Sequence, residues 1–162
     1  MAIKIIHIGV GGRGRHWLDF VAQHPDFTAA ACVDVDDKAL ESARAVPGQE
    51  HGTFCKSLAD ALSRTQADAV LITSPSFLHA QHALQALDAG LAVMVEKPFA
   101  GNLAEAQAVV DRARAVGRAV LVAENYRFFQ AERTVRHMLD KGVVGRIAAV
   151  ECVDRRNQPS YI

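Results

Sequence analysis

The sequence has no surplus of charge: eighteen Lys and Arg stand against eighteen Asp and Glu, a formal net charge of zero. A chain without a basic excess has no long-range field to gather nucleic acid or an anionic membrane surface. Neither is expected as a partner, and any ligand must be held by local chemistry. No apolar run approaches the ~20 residues that a membrane-spanning helix requires. The N-terminus lacks the basic flank and apolar stretch of a secretory signal, and passes at once into the strand-like Ile3, Ile5, Ile6 and Ile8. Cysteines are few and odd in number (Cys32, Cys55, Cys152), which argues against a disulfide framework and suits reduced thiols in the cytoplasm. Cys32 sits in an apolar run and reads as core. No Cys/His spacing has the form of a metal site; His79 and His82 share a helical face but find no third ligand.

What is present is alternation. Strands are predicted at 3–9, 28–34, 53–55, 69–73, 91–95 and 119–123, and helices at 13–24, 38–46, 58–63, 78–88 and 132–141. A further helix opens at Asn102, with Glu105 three residues on as in a capping box, and closes at Gly117. Asp36 is placed to cap the helix at 38–46. Apolar runs such as 69–73 read as strands buried on both faces. Strands separated by helices imply crossover connections and a doubly wound parallel sheet of the α/β class. One more strand is predicted at 146–153, followed by polar residues, with no successor to complete a second sheet. The expected organisation is a domain over 1–125, with 126–162 forming a connecting helix and the first strand of a second domain. An unpaired strand there would be disordered or would pair with a neighbouring chain as a homo-oligomer.

The first turn reads Gly9-Val10-Gly11-Gly12-Arg13-Gly14, glycines in G-x-G-x-x-G spacing between a strand and a helix. The first permits a tight turn, the second lets backbone approach a pyrophosphate, and the third lets helix pack closely on strand. Free N–H groups at the helix start, aided by its dipole, then hold the anion. Asp34 lies 20 residues beyond Gly14 at the end of the second strand. There a carboxylate can accept from both adenosine ribose hydroxyls and repel a 2′-phosphate. NAD is therefore expected over NADP, although Arg13 offers a cation to a phosphate. Three more segments fall at strand ends, where a doubly wound sheet binds ligands: Thr73-Ser74-Pro75 leading to His79, Glu96-Lys97-Pro98, and Glu124-Asn125-Tyr126-Arg127. Lys97 is the catalytic candidate, able to donate to a substrate hydroxyl or to the nicotinamide ribose. Its alternative is a surface lysine paired with Glu96 or Glu124, and that of His79 is a structural histidine.

In order and spacing these segments resemble the glucose–fructose oxidoreductase / inositol dehydrogenase / rhizopine-catabolism (Gfo/Idh/MocA) family over residues 3–153. The carriers are the glycine turn, Asp34, the Thr-Ser-Pro run ending at His79, Ala86-Leu87-Asp88-Ala89-Gly90, Glu96-Lys97-Pro98, Asn125-Tyr126-Arg127-Phe128 and the turn at 142–146. The resemblance implies a Rossmann fold and hydride transfer between NAD(P) and a sugar- or polyol-like alcohol/carbonyl pair. It implies that Lys97 orients cofactor and substrate, and that Thr73, Ser74, Pro75, His79, Glu96 and Asn125 line the cofactor cleft. Ser76 departs from the asparagine common at its position. Family members run to about twice this length, so the substrate-binding sheet domain is expected to be missing. Two other readings stand beside the enzyme: a non-enzymatic dinucleotide sensor or binding module, and a methyltransferase-like domain holding S-adenosylmethionine on the same turn. The last leaves Glu96-Lys97-Pro98 unexplained.

Overall fold

A computed structural model describes residues 2–151 and 153, and the chain divides into two compact units, residues 1–124 and 125–162. In the first unit the apolar runs become six strands: β1 (Ile3–Ile8), β2 (Phe27–Val33), β3 (Thr53–Cys55), β4 (Ala69–Ile72), β5 (Ala92–Val95) and β6 (Val120–Val122). Every pairing is parallel, and the order is β3-β2-β1-β4-β5-β6. Parallel neighbours cannot be joined by hairpins, so a helix fills each crossover: α1 (Gly12–Gln23), α2 (Asp37–Arg44), α3 (Leu58–Arg64), α4 (His79–Asp88) and α5 (Leu103–Val116). This is the expected doubly wound Rossmann sheet.

The period-2 alternation of β1 divides the core. Ile6 and Ile8 pack with Leu58 and Ala61 of α3, with Ala83 and Leu87 of α4, and with Val109 of α5. Ile5 faces the other way, toward Leu18 and Val21 of α1 and Leu40 and Ala43 of α2. Helix ends follow local chemistry. The Asp36 carboxylate accepts from the Lys38 amide at 3.0 Å. Asn102 Oδ1 accepts from the Glu105 amide at 3.0 Å while Glu105 accepts from the Asn102 side chain at 2.9 Å. Gly117 ends α5 in the left-handed region at φ +64°, a conformation that costs glycine nothing.

The second unit holds a 3-10 turn over Tyr126–Phe128 and helix α6 (Gln130–Asp140), with Val135, Met138 and Leu139 at helical spacing along one side. Of the strand predicted at 146–153, residues 146–151 and 153 carry no strand, and Cys152 and 154–162 lie outside the described residues. A strand exists only through its ladder, and no described strand pairs with this segment.

Candidate functional site

The sheet order reverses between β1 and β4, and at such a switch point the loops beyond the strands part to leave a crevice. The glycine turn sits on one lip. Gly9 has φ +85°, and a Cβ on it would lie 2.5 Å from the Ser74 amide nitrogen. Gly14 is buried, and its Cβ would fall 1.7 Å from the Gly9 carbonyl oxygen. Both glycines are therefore steric requirements of β1, α1 and the β4 loop meeting at one point. Gly11 and Gly12 differ. A Cβ on Gly11 would find its nearest neighbour at 3.7 Å, and one on Gly12 nothing within 4 Å, so this side of the turn is open. The α1 N-terminus has no side-chain cap and no acidic residue in its first turn. The amides of Gly12, Arg13 and Gly14 thus lack intrahelical acceptors and carry the positive end of the helix dipole.

Asp34 follows β2 directly and braces this turn. Its Oδ2 accepts from the amides of Val10 at 3.0 Å and Gly11 at 3.3 Å, and its Oδ1 from the Asp36 amide at 3.0 Å. The carboxylate also borders a cleft of about 260 Å³ lined by Gly9, Val35, Lys56, Ser74, Pro75 and His82 among others. Lys56 spans the rim, donating to the Val35 carbonyl at 3.0 Å and pairing with Asp37 at 2.5 Å.

The opposite lip comes from β4 and β5. Thr73 Oγ1 lies 2.6 Å from the Gly9 carbonyl and so ties β4 to the turn. His79 is only 2% exposed, with Nε2 2.8 Å from the Ser74 carbonyl and Nδ1 2.8 Å from the Pro98 carbonyl. Carbonyl oxygens only accept, so a protonated ring nitrogen donates to one of these two loops while the buried ring packs against both. Ser74 Oγ also meets His82 Nδ1 at 3.0 Å. Burial, and then the charge of His79, push the His82 pKa below the ordinary imidazole range. Glu96, 9% exposed, accepts from the Trp17 indole N–H at 2.8 Å and from the Lys97 amide at 3.1 Å, with Arg13 Nε at 4.0 Å.

Lys97 itself is exposed at the end of β5, before a cis bond to Pro98. Its ammonium pairs with no described carboxylate; what Glu96 takes is its amide. Twelve of the expected site residues thus converge on the switch point, whereas Asn125 opens the second unit, where its carbonyl accepts from the Phe128 amide at 3.0 Å. The sequence reading missed His7, Trp17 and Lys56. A lone polar residue inside Ile5-Ile6-His7-Ile8 was the available signal for the first. The other two partnerships span 79 residues for Trp17 with Glu96 and 21 for Lys56 with Val35, and no local pattern announces them.

Residues 3–124 match an oxidoreductase family with an NAD-binding Rossmann fold. The chain belongs to the Gfo/Idh/MocA family. The match takes in Glu96-Lys97-Pro98, the segment a methyltransferase reading leaves unexplained. The chain is 32% identical over 152 residues to inositol 2-dehydrogenase 3 of Saccharopolyspora erythraea, covering 93% of this chain and 45% of that protein. It is 34% identical over 155 residues to dTDP-3,4-didehydro-2,6-dideoxy-alpha-D-glucose 3-reductase of Streptomyces violaceoruber, covering 91% and 44% respectively. Among solved structures it resembles the WlbA dehydrogenase from Bordetella pertussis in complex with NADH and UDP-GlcNAcA, with a TM-score of 0.82, 27% identity, and 90% and 44% coverage. Apo scyllo-inositol dehydrogenase from Lactobacillus casei gives a TM-score of 0.80 at 25% identity, with 89% and 43% coverage. The chain spans less than half the length of these relatives.

Proposed function

We propose that this chain binds NAD(H) at the switch point and supplies the cofactor half of a dehydrogenase acting on a sugar- or polyol-like alcohol/carbonyl pair. One observation carries the reading. Gly9 and Gly14 are sterically forced while Gly11 and Gly12 leave an open backbone face, as a turn built to admit a pyrophosphate requires. The amides of Gly12, Arg13 and Gly14 would hold the diphosphate. The Asp34 carboxylate, bordering the cleft, would accept from the adenosine ribose hydroxyls and disfavour a 2′-phosphate, hence NAD over NADP. Thr73, Ser74, Pro75 and His79 form the wall between the two halves of the dinucleotide. Asn125 is assigned to the nicotinamide end by the family resemblance alone.

When bound, the nicotinamide supplies the hydride acceptor or donor. What the chain adds is orientation and proton handling. Glu96 fixes the Lys97 backbone, which leaves its side chain, without a carboxylate partner among the described residues, to carry the proton. As the ammonium it would donate to the oxygen of a carbonyl being reduced, and as the amine it would take the proton of a hydroxyl being oxidised. Residues 1–125 form the dinucleotide-binding domain in this reading, and 126–162 lead toward the part of the protein that would hold the substrate. The reduced thiols Cys32 and Cys55 suit a cytoplasmic setting.

The test is a titration with NADH and NADPH followed through Trp17, the only tryptophan, which lies on α1. Saturable NADH binding is expected, with NADPH weaker by about tenfold (~1.4 kcal/mol). No binding of either nucleotide refutes the reading. Binding without turnover of any polyol by a protein of the relatives' full length would favour the sensor.

A further inference from the structure

We propose that His7 is a positioning residue for the glycine turn, acting through the Thr73 hydroxyl on the carbonyl of Gly9. The role rests on that turn holding a dinucleotide, as proposed above. His7 stands in β1 with isoleucine on both sides, in register with Cys32 of β2 and Leu71 of β4, and is fully buried. An aliphatic side chain would suit this place better. Burial pushes the imidazole pKa down to about 3, so the ring is neutral and carries a single N–H. Nδ1 is buried without a partner among the described residues, and Nε2 lies 2.9 Å from Thr73 Oγ1.

The neighbours of that hydroxyl decide which nitrogen holds the proton. Thr73 Oγ1 lies 2.6 Å from the Gly9 carbonyl and 3.1 Å from the Ile8 carbonyl, and neither oxygen can donate. The single hydroxyl proton goes to the closer one, Gly9, so Nε2 of His7 must be the donor to Thr73. The result is a directed chain, His7 N–H to Thr73 O–H to Gly9 C=O. Fixing the Gly9 carbonyl fixes the Gly9–Val10 peptide plane, and so the Val10 amide that Asp34 accepts. The hydroxyl also fills the space a Gly14 Cβ would need, 2.6 Å away, so one oxygen spaces β1, β4 and α1 at the start of the phosphate-binding helix.

Two measurements on the chain as it exists test this. In the ring nitrogen NMR spectrum, His7 is expected as the Nε2–H tautomer with Nδ1 unprotonated; the Nδ1–H tautomer overturns the proposal whether or not any variant folds. NADH affinity is then read for His7→Leu, His7→Gln, Thr73→Val and the double variant His7→Leu/Thr73→Val. His7→Leu is expected to weaken NADH binding about five- to tenfold, equal to ~1–1.4 kcal/mol, without lowering the melting temperature, because the unpaired nitrogen is removed. His7→Gln, which keeps a donor, should restore most of the affinity. The double variant should bind no worse than Thr73→Val alone, because His7 acts only through that hydroxyl. Affinity unchanged in His7→Leu while the wild type binds, or losses that add in the double variant, overturn the role of His7 alone. A wild type that binds no NADH overturns the cofactor reading and this role with it.

Discussion

Replacing Gly14 by alanine asks the sharpest question of the fold and the site together. The added methyl carbon would fall 1.7 Å from the Gly9 carbonyl oxygen and 2.6 Å from Thr73 Oγ1. The shortest tolerated C···O approach is about 3.3 Å, so α1 must retreat from β1 by roughly 1.6 Å at its first turn. Elsewhere in a helix the same substitution would help by about 0.5–1 kcal/mol; here overpacking reverses the sign, at a cost of about 1–3 kcal/mol. Leu18 and Val21, the buried anchors of α1, would lose contact as the helix moves, so the upper end is expected. For a chain of this size that is a melting temperature lower by roughly 6–12 °C. The retreat also withdraws the helix amides from the diphosphate, so NADH affinity should fall at least about tenfold (~1.4 kcal/mol). Gly101→Ala is the control, because its Cβ would meet only the flexible Glu105 carboxylate at 3.1 Å. That control should stay within about 0.5 kcal/mol. Thermal denaturation and NADH titration of both variants settle it: a Gly14→Ala chain as stable and as tightly binding as the control would refute the steric account of the turn.

Other outcomes follow from contacts already described. Asp34→Ala should abolish the preference for NADH over NADPH and also weaken NADH itself, since the Val10 and Gly11 amides lose their acceptor; parallel titrations with both nucleotides report this, and a retained preference would count against Asp34. Glu96→Ala leaves the Trp17 indole N–H and the Lys97 amide unpaired, at about 1–3 kcal/mol in stability by urea denaturation and with a change in Trp17 emission. Stability should decline as pH falls below about 6.5. The folded-state pKa of His7 lies near 3 and that of His82 is lowered, so unfolding takes up protons there, and His7 alone supplies about 1.4 kcal/mol per pH unit down to its folded pKa. Urea midpoints at pH 7, 5.5 and 4.5 measure this slope, and His7→Leu should flatten it. Cys32, with its thiol pKa pushed up to about 12 by burial and then by Cys55, should resist alkylation in the folded chain, as mapped by mass spectrometry.

The strands and helices were legible because their signals are local. Period, caps and glycines place β1 to β6 within a residue or two, and the Asp36 and Asn102 caps form as their residue types dictate. The glycine turn was legible for the same reason, since a motif of six residues contains its own geometry. What was hidden is long-range. Asp34 makes three hydrogen bonds among the described residues, all to backbone amides and two of them in the turn, and only the pairing of β1 with β2 brings those two amides within reach. Glu96 likewise meets an indole partner on α1 that lies 79 residues away in the sequence. At 146–153 apolar alternation marks a capacity to pair, and pairing needs a neighbour that sequence pattern does not supply; residues 146–151 and 153 carry no strand.

One regularity of the sheet has a metric consequence. Its hydrogen-bond ladder runs one step past the strands: Asp34 N bonds Cys55 O, Gly9 N bonds Val33 O, Thr73 N bonds Ile8 O and Glu96 N bonds Ile72 O, at 3.1, 2.8, 2.8 and 2.8 Å. The residues that carry the proposed chemistry are therefore the teeth of a comb whose pitch is the interstrand spacing, about 4.8 Å. From Asp34 across Gly9 and Thr73 to Glu96 is three pitches, roughly 14 Å. An elongated ligand laid along these teeth is gauged by counting strands. Loop insertions can change what each tooth carries, but the gauge is altered only by adding or removing a strand.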